Sequence, residues 1–127
     1  NVVASTYCNS WVFDGLDASA PFRSLARVYT EIFINRSETK KEQLMTQVLK
    51  KFGIDGIVYH DSKTCPHNSN SRFGMPQLLS KATGIPHLVM SGDLCDLRCF
   101  SEEQTTTSLE AFVEQICDNR HAAVASR

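Results

Sequence analysis

The chain has no surplus of either charge: 13 lysines and arginines against 14 aspartates and glutamates leave a formal net charge of −1 over 127 residues. No basic run breaks that balance, which argues against a nucleic-acid partner held through its phosphates. No apolar stretch approaches the roughly 18 residues of a membrane-spanning helix, so no membrane partner is expected either. Internal repeats, low-complexity tracts and long linkers are absent. Disorder is excluded by the 42% of side chains that are aliphatic, aromatic or cysteine. Neither a P-loop nor the Gly-x-Gly-x-x-Gly fingerprint occurs, which removes nucleotide hydrolysis from this stretch of chain. What remains is the length and composition of one globular domain with a real core.

Five cysteines are present, at positions 8, 65, 95, 99 and 117. An odd number in an apolar-rich chain fits a disulfide scaffold poorly. A reducing, cytoplasmic compartment is expected, with thiols left for metal or redox chemistry. The chain opens on Asn1-Val2-Val3-Ala4-Ser5-Thr6, which reads as the middle of a strand, so a C-terminal fragment of a longer subunit is expected.

Val2–Thr6 is a short β-branched run and reads as a buried strand. After Pro21, the residues Phe22, Leu25, Ala26, Tyr29, Ile32 and Phe33 are spaced as one inward face of a helix. A second helix starts near Ser37, turns Leu44, Val48, Leu49 and Phe52 inward, and stops at Gly53. Lys50 and Lys51 suit its negative end. Gly56–His60 is the next strand, followed by a polar loop from Asp61 to about Ser71. Met75, Leu78, Leu79 and Ala82 form a helical stripe, with Pro76 tolerable only in the first turn, which places the start near Gly74. Gly84 ends that helix and Pro86 forbids its continuation. Leu88–Met90 is a third strand, and Gly92 to Phe100 a second polar loop. Ser101 and Gln104 have capping-box spacing before a last helix that buries Leu109, Phe112, Val113 and Ile116. This order predicts an α/β fold: a three-layer sandwich on a mainly parallel sheet, Rossmann- or flavodoxin-like, with three strands in this stretch. One domain is expected over 1–118, with 119–127 a frayed tail.

Parallel sheets of this kind place ligands outside the carboxyl ends of their strands. The segments leaving the three strands carry Cys8, Cys65, Cys95 and Cys99 to that edge, while Cys117 falls in the last helix and is expected to be buried or inert. The loop Asp61–Arg72 is longer than a strand-to-helix connection needs and almost wholly polar. Within it, a Cys65 thiolate can be stabilised by Lys63 and by surrounding peptide N–H groups. No Cys-x-x-Cys pair surrounds Cys65, so spacing alone defines no local zinc or iron–sulfur site. His60 and His67 flank the loop and are candidate proton donors, against the plainer reading of histidines bonded to backbone. Asp93, Asp96 and Arg98 read as a local ion-pair and turn network. Tyr7, Trp11 and Phe13 can wall an apolar pocket or simply pack in the core.

Three segments together resemble a known family: Asp55-Gly-Ile-Val-Tyr-His-Asp-Ser-Lys-Thr-Cys65, Gly84-Ile-Pro-His-Leu-Val-Met-Ser-Gly-Asp-Leu94, and Ser101-Glu-Glu-Gln-Thr105 through Leu109–Glu114. They are similar to the carboxy-terminal region of the iron–sulfur subunits of the benzoyl-CoA reductase/2-hydroxyacyl-CoA dehydratase family, over nearly the whole chain. Lys63-Thr64-Cys65-Pro66 continuing to Gln77, and Val3–Trp11, resemble the reductase branch and its B-type subunit. The dehydratase branch typically has Arg-Ser-Cys where this chain has Lys63-Thr64-Cys65, with a Ser four positions after the Cys, which Ser69 keeps.

The resemblance implies that Cys65 is one of three cysteine ligands to a four-iron–four-sulfur cluster, the other two lying upstream of residue 1. Cys8, Cys95, Cys99 and Cys117 match no ligand of the family. It implies part of an ATP-dependent benzoyl-CoA reductase of anaerobic aromatic degradation, inactive as this fragment alone. A low-potential electron would pass to the ring of an aromatic acyl-CoA. The implied partners are a companion iron–sulfur subunit, ATP-hydrolysing activator subunits and ferredoxin as the electron source. Thr64, Ser69 and Asn70, with Asn68 and Ser71, are suited to donate hydrogen bonds to cluster sulfur. The competing expectations are a 2-hydroxyacyl-CoA dehydratase subunit, a flavodoxin-like binding module without metal, and a zinc site built from Cys8, Cys65 and Cys95 or Cys99.

Overall fold

The computed structural model describes residues 15–65, 74–93 and 95–125, with side chains to 122. The expected strand Val2–Thr6 lies outside the described residues. In chain order the elements are α1 (Pro21–Glu31), a 3-10 turn (Phe33–Asn35), α2 (Glu38–Phe52), β1 (Ile57–Ser62), α3 (Met75–Thr83), β2 (His87–Gly92), a second 3-10 turn (Leu97–Cys99) and α4 (Glu102–Ala125). Among the described residues the sheet is β1 and β2, paired in parallel with Ile57 opposite His87 and Ser62 opposite Gly92. An α/β architecture with parallel pairing is therefore present, with two strands where three were expected in the whole chain.

Local chemistry sets the element ends. Ser37 accepts a hydrogen bond from the Lys40 amide and starts α2; Gly53, at φ 58°, takes the left-handed conformation that stops it. Pro76 sits in the first turn of α3, and the Gly84 amide donates to the Ser80 carbonyl at 2.8 Å to close it. The Ser101 hydroxyl accepts from the Gln104 amide at the start of α4.

The core gathers Phe33, Met45, Leu49, Tyr59, Met75 and Leu79, with Leu44, Ile54, Ile57 and Ile85 packed on it. Strand alternation separates Ile57 and Tyr59, which face this core, from Gly56 on the other side. There α4 approaches so closely that a Cβ on Gly56 would overlap Ile116 Cδ1 and stand 2.9 Å from Phe112 Cζ. The helices α2 and α3 thus lie against one face of the sheet and α4 against the other.

Several expected faces turn out differently. In α1 the inward residues are Ser24 and Val28, while Phe22 is 89% exposed and Leu25, Ala26 and Tyr29 are exposed too. The Ser24 hydroxyl donates to the carbonyls of Asp17 and Pro21 and accepts from the Asp17 amide, so the preceding turn folds over that face instead. Phe52, Leu78 and Ala82 are likewise exposed. In α4, Phe112 and Ile116 occupy the seat over Gly56, which leaves Val113 and Cys117, one position on, facing outward. The helix also continues past Asn119 to Ala125. An ion pair between Arg120 and Asp55 (3.3 Å) and the alanines of its last turns support that extension. No helix among the described residues is long and apolar enough to cross a membrane.

Tyr59 is buried, and its hydroxyl has no hydrogen-bond partner among the described residues; burial pushes its phenol up to about 12. Tyr59→Phe removes an unpaired polar atom and should leave stability equal or raise it by up to about 1–3 kcal/mol. Gly56→Ala should destabilise by about 1–3 kcal/mol through overpacking under α4. Denaturant titration of the purified protein reads both changes.

Candidate functional site

Because β1 and β2 run parallel in register, their carboxyl ends leave the sheet at one edge, β1 toward Cys65 and β2 toward Cys95. The ladder continues one step past the strands, where the Lys63 amide donates to the Gly92 carbonyl at 3.1 Å. At the following step a side chain takes over from the backbone. Asp93 Oδ2 accepts from both the Thr64 amide (3.0 Å) and the Thr64 hydroxyl (2.5 Å), and Asp93 Oδ1 accepts from the Cys95 amide (2.9 Å). One carboxylate therefore ties the loop after β1 to the loop after β2.

These donors favour the ionised form, first the Thr64 hydroxyl and then the Cys95 amide, and hold the Asp93 carboxyl below the usual carboxylate range. The sign follows from linkage: the stabilisation is present above the ordinary carboxylate pKa and is lost as pH falls through the lowered folded value. At neutral pH the tie is intact.

Cys65 follows Thr64 directly and is a free, exposed thiol. Both Thr64 donors go to Asp93, which holds the backbone that enters Cys65. Lys63 pairs with Asp61 at 3.6 Å, which draws its ammonium to that carboxylate. Asp61 and Ser62, expected in the loop, instead complete β1. His60 is exposed on β1, and its ring covers Gly92, where a Cβ would stand 3.0 Å from Nε2. The structure thus brings His60, Thr64, Cys65 and Asp93 to one edge. His67, Ser69 and Asn70, with Asn68 and Ser71, lie outside the described residues, as do Cys8, Tyr7, Trp11 and Phe13.

The expected ion pair between Asp96 and Arg98 is present, with Nη2 to Oδ2 at 2.7 Å and Nε to Oδ1 at 2.9 Å. Asp93 does not share in it through a salt bridge; its partners include Thr64, the Cys95 amide and, more weakly, the Asp96 backbone. Spacing does not reveal that role, because the bond joins residues 29 positions apart; the available signal was an aspartate directly after a strand paired in register with β1. Cys95 is exposed and Cys99 half-buried, and both are free. Among the described residues, no three His, Cys, Asp or Glu side chains are grouped to hold a metal ion.

Known enzyme subunits are similar in sequence to this chain over most of its length. The chain is 32% identical over 111 residues to lactoyl-CoA dehydratase subunit alpha of Anaerotignum propionicum, covering 87% of this chain and 26% of that protein. It is 25% identical over 118 residues to the (R)-2-hydroxyisocaproyl-CoA dehydratase alpha subunit of Clostridioides difficile, over 90% of this chain and 28% of the other. It is also 24% identical over 107 residues to the B-type subunit of benzoyl-CoA reductase from Thauera aromatica, over 84% of this chain and 25% of the other. The chain therefore spans about a quarter of the length of the curated relatives it matches. Residues 1–116 match the family described as 2-hydroxyglutaryl-CoA dehydratase, D-component, and the chain belongs to that family, which includes both dehydratase and benzoyl-CoA reductase subunits.

Proposed function

We propose that Cys65 supplies one thiolate ligand to a four-iron–four-sulfur cluster whose other protein ligands lie upstream of this chain, in an enzyme subunit acting on CoA thioesters. The observation that carries this reading is a free, exposed thiol at the carboxyl edge of a parallel strand pair, next to a residue tied across that edge. A single exposed thiol with no grouped ligands among the described residues fits one leg of a shared cluster. When bound, the cluster supplies low-potential one-electron chemistry to the thioester-activated acyl group.

This chain's own residues hold and orient. The Asp93 bonds to Thr64 fix the backbone that enters Cys65, and His60, at the same edge, is a proposed proton donor. His67 shares that proposed role. The companion subunit, the ATP-hydrolysing activator and ferredoxin belong to this proposal too. Support for partner subunits comes from the relatives, which are named as alpha-type or B-type subunits.

Two substrates are consistent with family membership. Reduction of an aromatic acyl-CoA ring is supported by the stretch from Lys63 to Gln77 and by the relation to the B-type subunit of benzoyl-CoA reductase. Dehydration of a 2-hydroxyacyl-CoA is supported by the higher identity, 32%, to a lactoyl-CoA dehydratase subunit. The intact complex, purified without oxygen and supplied with each thioester in turn, separates them: ring reduction favours the first and loss of water the second.

In the full-length subunit, Cys65→Ser should remove most of the iron and sulfide and abolish the native electron paramagnetic resonance signal, while Cys117→Ser retains both. Unchanged iron in Cys65→Ser sinks the ligand assignment, and an active subunit free of iron supports a metal-free binding module instead. In the intact complex, His67→Ala should lower turnover by about 10²-fold, the scale of a lost general acid. Full turnover in that variant removes His67 from the mechanism.

A further inference from the structure

We propose that Asp93 is a positioning residue for Cys65, fixing the thiol-bearing loop by replacing the next backbone acceptor of the β1–β2 ladder with its own carboxylate. The inference rests on Cys65 being a cluster ligand and adds the group that sets where that ligand stands.

Reach and direction single out this carboxylate. Past Ser62 and Gly92 the parallel strands have one more main-chain bond to make, Lys63 amide to Gly92 carbonyl, and then diverge into their loops. A loop leaving a strand at that point is free to swing about its first unpaired residue. Here that residue is Thr64, and both its donors are taken by a single oxygen of Asp93. The second oxygen accepts the Cys95 amide, so the carboxylate is also held from its own loop. Three donors on an ionised acceptor make charge-assisted bonds, stronger and more directional than neutral ones. Cys65 is one peptide unit beyond the anchored amide, so the anchor restricts the thiol's position more closely than a contact further along the loop does. Asp96, three residues away, is engaged by Arg98 and makes no comparable bond to the first loop among the described residues. It is therefore the matched control.

The test uses the full-length subunit and its holo complex, with two readouts besides turnover. Amide hydrogen exchange reads the tie itself, and the electron paramagnetic resonance spectrum reads the geometry of the ligand. Asp93→Ala should raise exchange at the Thr64 amide by about tenfold and should shift or broaden the cluster signal with partial loss of iron. Asp96→Ala should leave Thr64 exchange at its native rate. Should Asp93→Ala fail to fold, Thr64→Val removes only the hydroxyl donor and should give an intermediate spectral change that Thr64→Ser restores. Unaltered Thr64 exchange in Asp93→Ala overturns the proposal, as does faster exchange with a native spectrum and full iron. The two readings fail separately. Native iron and signal in Cys65→Ser overturn the ligand assignment whatever Asp93→Ala does. Loss of iron in Cys65→Ser, with a native signal in Asp93→Ala, overturns the positioning role alone.

Discussion

The arrangement of this protein depends on the register of one parallel strand pair. With Ser62 opposite Gly92, the two chains leave the sheet side by side, and a residue one step beyond each strand falls within hydrogen-bonding reach of the other. A slip of one position would turn every side chain of β1 to the opposite face, taking Tyr59 out of the core and moving Thr64 away from Asp93. The register is fixed from both faces. Tyr59 and Ile57 are packed into the cluster of Leu49, Met75 and Leu79, while α4 rests on the space that Gly56 leaves open. The carboxyl edge thus inherits its geometry from packing on both sides of the sheet.

Much of the fold was legible in the sequence where local chemistry decides. Ser37, Gly53, Gly84 and Ser101 mark helix ends because a cap or a left-handed residue acts within one turn, and the structure places boundaries at each of them. Helix faces were less legible. The stripe of Phe22, Leu25 and Tyr29 has the spacing of a buried face, yet Ser24 and Val28 are buried instead. Periodicity gives the angle between residues and not which side meets the core. In α1 that choice is made by the turn at Asp17, whose backbone engages the Ser24 hydroxyl. In α4 the same ambiguity is settled by Gly56, whose missing side chain admits Phe112 and Ile116 and turns Val113 outward.

The site divides in the same way. The place of Cys65 at the carboxyl edge was legible, since the topology carries the loop after β1 there. Asp93 was not, because nothing in the spacing of Asp93, Asp96 and Arg98 tells which carboxylate turns to its neighbours and which reaches across. The structure assigns Asp96 to Arg98 and Asp93 to Thr64. Lys63 illustrates the converse: its nearness in sequence to Cys65 suggested a partner for the thiolate, whereas alternation along the strand brings it to Asp61.

The bond between Asp93 and residue 64 has two components that respond differently to sequence drift. The amide donor belongs to the main chain, so any residue other than proline supplies it; the hydroxyl donor is common to threonine and serine. An exchange of Thr for Ser at this position, the very difference between Lys63-Thr64-Cys65 and an Arg-Ser-Cys sequence, therefore costs the cross-loop tie none of its donors.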